Sequence, residues 1–106
     1  MRNIDFNFFG HQISAHLIDD QLEETPTNDV DYDNIPVRHF GVVLNWKKWQ
    51  ELHESISAKG YPFLLPPKIR FQGKVGEQGT FFLRDPSGNC LEFKSFQDES
   101  QLFATK

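Results

Sequence analysis

The chain carries a single cysteine, Cys90, in 106 residues, so no internal disulfide can form. That excludes a disulfide-stapled miniprotein and points to a reducing, cytoplasmic setting. Long apolar runs are also missing. The longest span a few residues against the ~20 a membrane helix needs, and the N-terminal MRNIDFNFFG has no apolar signal region, so no membrane association is expected. Basic charge is scarce: 11 Lys plus Arg stand against 15 Asp plus Glu, a formal net charge of −4, and no basic cluster interrupts the balance. Such a chain is repelled by nucleic-acid phosphate, and no nucleic-acid partner is expected. Apolar residues make up only 38%, which 11 phenylalanines offset because each ring buries a large area in a small core. The length has room for one domain, residues 1–106.

What is present reads as an α+β chain. Ile4, Phe6 and Phe8 alternate with Asp5 and Asn7, and Ile13, Ala15 and Leu17 alternate with Ser14 and His16. Two period-2 runs around Gly10-His11-Gln12 predict a β-hairpin within residues 1–18, with His16 on its more polar side. Residues 19–36 are acidic and proline-containing without an apolar period, which predicts a linker or a long surface loop. The stretch has no glycine, against a calcium loop.

Residues 37–96 then read β-α-β-β-β. Strand parity over 37–44 puts His39, Gly41 and Val43 on one face and Phe40, Val42 and Leu44 on the other. Asn45 is placed to cap a helix over 46–59, whose Trp46, Trp49, Leu52 and Ile56 recur at helical spacing before Gly60. A short strand at 63–65 is expected to stop at Pro66-Pro67 and to continue over 68–72 beyond a bulge. Residues 73–79, with three glycines, make a flexible turn, 80–84 a strand, Asp85-Pro86-Ser87-Gly88-Asn89 a turn, and 90–96 the last strand. Parity there sets Cys90, Glu92 and Lys94 opposite Leu91 and Phe93. In the polar tail, 97–106, Leu102 and Phe103 can dock locally.

His39, Glu92 and His16 are the ionisable groups that parity offers to one sheet face. Two imidazoles and one carboxylate suit a divalent transition metal with positions left open for substrate and oxygen, the facial arrangement of non-haem iron(II). A strand histidine bonded to a backbone carbonyl explains His39 about as well, and a solvent-facing edge histidine explains His16. A carboxylate between Leu91 and Phe93 needs a partner if it is buried. Phe81 and Phe82 must point to opposite faces, so one of them, taken as Phe82, walls a cavity. Lys94 shares parity with Glu92 and is placed either to meet an anionic substrate or to pair with Glu92. Arg70, beside the glycine turn, is a further substrate-binding candidate. His53 on the helix, His11 in the turn and Cys90 in the core have adequate structural explanations.

RHFGVVL, the helix from Trp46, FFLRDPSGNCLEF and the earlier FNFFGHQISAHL together resemble the vicinal oxygen chelate superfamily, which includes glyoxalase I, extradiol dioxygenases and the fosfomycin- and bleomycin-resistance proteins. The resemblance spans nearly the whole chain. It implies paired βαβββ modules curled around a divalent metal, with His39 and Glu92 at the ligand positions of the second module and His16 nearest to that of the first. Iron(II) is the first expectation, with manganese, zinc or nickel as the others. The implied function is a metal-dependent small-molecule enzyme, dioxygenase-like. The alternatives are a metal-free resistance-type module sequestering an aromatic or cationic ligand, or a glyoxalase-type lyase. The first module begins at what would be its third strand, without its opening strand and helix. A truncated or mis-started chain, a second copy completing the cup, or loss of metal chemistry would each account for that, and a homodimer is the expectation.

Overall fold

A computed structural model describes residues 2–18, 26–30 and 33–102. The fold is α+β. Strands β1 (Asn3–Phe8) and β2 (His11–His16) form the first hairpin, pairing Phe8 with His11 and Asn3 with His16. Its two-residue turn, Phe9-Gly10, has φ of 53° and 89°, positive at both positions as a twist-matched hairpin requires. The turn is thus shorter than Gly10-His11-Gln12, and His11 and Gln12 are strand residues.

The acidic stretch expected to be a linker contains a second hairpin, β3 (Thr27–Val30) with β4 (Asp33–Pro36). Ile35 and Pro36 are buried, and Asp33 binds Lys68 and Arg70, so main-chain pairing and long-range contacts hold a segment that has no apolar alternation of its own. Residues 19–25 of that expected linker lie outside the described residues, as does Phe103 of the tail.

The remaining elements form the βαβββ arrangement: β5 (Phe40–Val43), α1 (Trp46–Ala58), β6 (Leu65–Arg70), β7 (Gln78–Arg84) and β8 (Cys90–Ser95), in the sheet order β5-β8-β7-β6. Of the neighbouring pairs in this sheet only β5 and β8 are parallel: α1 carries the chain from β5 to β6 at the far edge, and two antiparallel steps bring it back as β8 beside β5. Several boundaries differ from expectation, among them that of β7, which begins at Gln78 rather than Thr80 and shortens the glycine turn. β5 starts at Phe40 rather than Val37, because residues 37 and 38 form a bend. β6 runs through Pro66-Pro67 instead of stopping there, with the register shifting between Leu65 and Lys68; an edge strand with a bulge tolerates the missing donors.

Asn45 caps α1 through Oδ1, which accepts from Lys48 N at 2.8 Å, and Gly60 follows the helix with φ 76°. The helix covers one sheet face, where Leu44, Trp49, Phe81 and Phe93 form the buried core. Trp49 is fixed there by its indole N–H, which donates to the Phe93 carbonyl at 2.9 Å, and it lies over Gly79, where a Cβ would come within 2.7 Å of the ring. Phe8 and Phe9 at the tip of the first hairpin pack against Phe93, attaching that hairpin to the helix side of the sheet. Leu102, expected to dock, is exposed beside a short 3-10 turn at Glu99–Gln101.

Candidate metal centre

The sheet face away from α1 is set by register. The Asp85–Asn89 turn is held by Asp85 Oδ1, which accepts from the Ser87 and Asn89 amides, and it aligns Phe82 with Glu92 and Thr80 with Lys94. Parallel pairing places Gly41 beside Glu92 and Val43 beside Lys94. A Cβ at Gly41 would overlap the Glu92 carbonyl oxygen, so glycine permits this approach of β5 to β8. His39, at the bend before β5, reaches the same face.

His39 and Glu92 meet there. His39 Nδ1 lies 2.7 Å from the Pro36 carbonyl oxygen, which can only accept, so Nδ1 carries a proton and the ring is oriented with Nε2 toward Glu92 Oε1 at 3.1 Å. A bare Nε2 and an ionised carboxylate oxygen would present lone pairs to each other, and a cation or a proton between them resolves the conflict. Metal–ligand bonds of ~2.0–2.2 Å separate adjacent ligands by about 3.0–3.4 Å, so the observed spacing fits one metal edge as well as one hydrogen bond. The pair supplies two donors of the kind a divalent metal takes, one imidazole nitrogen whose other nitrogen is locked by a carbonyl and one buried carboxylate.

Three further groups define the surroundings. Thr80 Oγ1 donates to Glu92 Oε2 at 2.6 Å and is fully buried, which fixes the carboxylate plane and leaves Oε1 to face His39. Phe82, 1% exposed, sets its ring edge-on to the imidazole with centroids 5.1 Å apart. It packs against the histidine on this face, as Phe81 packs into the core on the other. Lys94 Nζ lies 3.6 Å from Glu92 Oε1, so both readings of Lys94 remain compatible with its position. His39, Gly41, Val43, Glu92 and Lys94 line a cleft of about 270 Å³ along β5.

The other sequence candidates lie apart from this pair. His16 is exposed on β2, in a sheet separate from β5–β8, and no group of three His, Cys, Asp or Glu suited to a metal occurs among the described residues. Arg70 is 3% exposed and donates to Asp33 Oδ2 at 3.0 Å, as Lys68 does, a cross-link between β4 and β6. The hydrogen bond from Lys68, together with the positive charges of Lys68 and Arg70, holds the Asp33 carboxyl below its ordinary pKa against the opposing effect of burial. Cys90 is buried, His53 packs edge-on to Trp49, and His11 is exposed. Sequence reasoning missed Thr80 and Asp33. The register of the Asp85–Asn89 hairpin could have found the first, since it sets Thr80 diagonally across from Glu92 on one face. No local signal marks the second.

An α+β chain with a βαβββ sheet and a histidine–glutamate pair on its open face defines the class. Among solved structures the chain is similar to a glyoxalase/bleomycin resistance protein/dioxygenase from Alicyclobacillus acidocaldarius, at 35% sequence identity over 95% of this chain and 71% of that one, with a TM-score of 0.73. It is also similar to the genomically encoded fosfomycin resistance protein FosX from Listeria monocytogenes, at 20% identity over 94% and 76% of the two chains, TM-score 0.59, a likeness of fold alone. No protein-family model matches the sequence, and no curated protein does. The chain belongs to the glyoxalase/bleomycin resistance/dioxygenase family of the vicinal oxygen chelate superfamily.

Proposed function

We propose that this protein is a metal-dependent enzyme acting on a small molecule with vicinal oxygens, dioxygenase-like, with His39 and Glu92 as metal ligands. The observation that carries the reading is the 3.1 Å approach of His39 Nε2 to Glu92 Oε1, each locked from behind by the Pro36 carbonyl and the Thr80 hydroxyl. A bound divalent ion, iron(II) before manganese, zinc or nickel, would supply Lewis-acid polarisation of the substrate oxygens and, for iron, a redox partner for oxygen. The chain's own residues do the rest. His39 and Glu92 hold adjacent positions, Phe82 excludes water from one side, and Lys94 contributes a positive charge at the cleft. His16, exposed on β2, is the third ligand in this proposal, contributed from a second copy. A homodimer suits the exposed Ile4, Phe6 and Leu17 of the first hairpin and Phe40 and Val43 on edge strand β5. Residues 37–96 are read as the complete module of one domain, in a reducing, cytoplasmic setting consistent with a single buried cysteine. No helix is long and apolar enough to cross a membrane among the described residues.

A second reading, a metal-free binding module, is favoured by the contacts Glu92 already has from Thr80, His39 and Lys94. Oxygen uptake by the iron(II)-loaded protein over a panel of aromatic vicinal diols tests the first reading, beside hemithioacetal isomerisation by the zinc- or nickel-loaded form. Turnover lost in His39→Ala supports the dioxygenase or the lyase reading according to the assay that responds. Ligand binding without turnover, undiminished by that substitution, supports the metal-free module.

A further inference from the structure

Lys94 and His39 address the same oxygen of the same carboxylate. Lys94 Nζ is 3.6 Å and His39 Nε2 3.1 Å from Glu92 Oε1, whereas Oε2 is taken by Thr80. The Glu92 side chain is only 9% exposed, so its charge is better neutralised than solvated, and in the metal-free chain the Lys94 ammonium contributes that neutralisation. A divalent ion ligated by Oε1 would take over that role. The ammonium would then stand beside a second positive charge with its counter-ion withdrawn, on a flexible four-carbon stem lining the same cleft.

On this basis, and resting on the metal-site reading above, we infer that Lys94 is the resident cation of the empty site and the anion-recognising residue of the loaded one. The substrate class is correspondingly a small anion whose negative charge adjoins its metal-binding oxygens. A neutral diol would satisfy the metal but leave Lys94 uncompensated. A vicinal-oxygen compound with an adjacent carboxylate or phosphonate would satisfy both, and a cationic ligand would meet two like charges. Row geometry supports the assignment: Lys94 is directly opposite Thr80 and two residues beyond Glu92 on the same face, so its ammonium and the carboxylate open into one cleft.

The inference makes two demands on one side chain, which pull in opposite directions. Manganese(II) alone, titrated into wild type, Lys94→Met and Lys94→Gln, should bind the two neutral variants more tightly, on the order of tenfold, because a competing positive charge has gone. Catechol and 2,3-dihydroxybenzoate, which share the vicinal oxygens and differ by one carboxylate, are then titrated into the manganese-loaded forms. Wild type and Lys94→Arg should favour the carboxylate-bearing probe by about tenfold more than the neutral variants do. Circular dichroism checks that each variant is folded, and either neutral variant suffices. Unchanged manganese affinity and an unchanged preference between the two probes in a folded neutral variant would overturn the role of Lys94 while leaving the metal site standing. Absence of manganese binding in wild type would overturn the metal reading itself, and this inference with it.

Discussion

Thr80 Oγ1 and Glu92 Oε2 are joined by a buried 2.6 Å hydrogen bond between adjacent strands, so the orientation of the candidate metal-binding carboxylate is set by a residue that does not face the histidine. Replacing Thr80 with valine keeps the volume and removes the donor. Metal affinity should fall by about 10–100-fold, the usual effect of losing a group that orients a ligand. Thr80→Ser, which keeps the hydroxyl, should recover most of it. Calorimetric titration with zinc distinguishes these, and equal affinities in Thr80→Val and wild type would remove Thr80 from the account.

Packing of the helix gives a second expectation. A methyl group at Gly79 would meet the Trp49 ring at 2.7 Å, and the ring is held in place by its bond to the Phe93 carbonyl. Gly79→Ala should therefore cost about 1–3 kcal/mol, the usual penalty of overpacking. For a domain of this size that lowers Tm by roughly 4–8 °C for each kcal/mol. The cost should shrink when Trp49→Phe is combined with it, because the smaller ring vacates the overlap. Additive losses in the double variant would mean that Gly79 matters for another reason.

Asp33 gives the fold a dependence on acid. Its pKa is lowered in the folded state, first by the hydrogen bond from Lys68. A depressed carboxyl pKa contributes stability above the ordinary aspartate value of about 4, and that contribution is lost as pH falls through the lower folded value. The stability gap between wild type and Asp33→Asn, measured by urea unfolding, should be widest near neutral pH and narrow progressively below pH ~4. A gap of constant size down to pH ~3 would show that the charge on Asp33 does not stabilise the fold.

Much of this architecture is legible in the residues because its signals are local. Trp46, Trp49, Leu52 and Ile56 define one helix face whatever they pack against, and Asp85 to Asn89 close a turn with their own side chains. The parity that paired Glu92 with Lys94 and opposed Leu91 needed only a strand. The second hairpin was hidden because Thr-Asn-Asp-Val and Asp-Asn-Ile-Pro carry no alternation, and its anchoring bonds run from Asp33 to side chains 35 and 37 positions away. Likewise, parity places His16 on the polar side of its own hairpin but not the hairpin against the larger sheet. The tip phenylalanines settle that attachment, through contacts with Phe93 that no periodicity encodes.

The central claim is that one imidazole and one carboxylate, His39 and Glu92, grip the same divalent ion. Elemental analysis of protein purified without added metal tests it most directly, on wild type, His39→Ala and Glu92→Ala prepared in parallel. Wild type should carry iron, manganese, zinc or nickel in stoichiometric amount, and both variants should lose it. Metal-free wild type, or metal retained in full by either folded variant, would contradict the account.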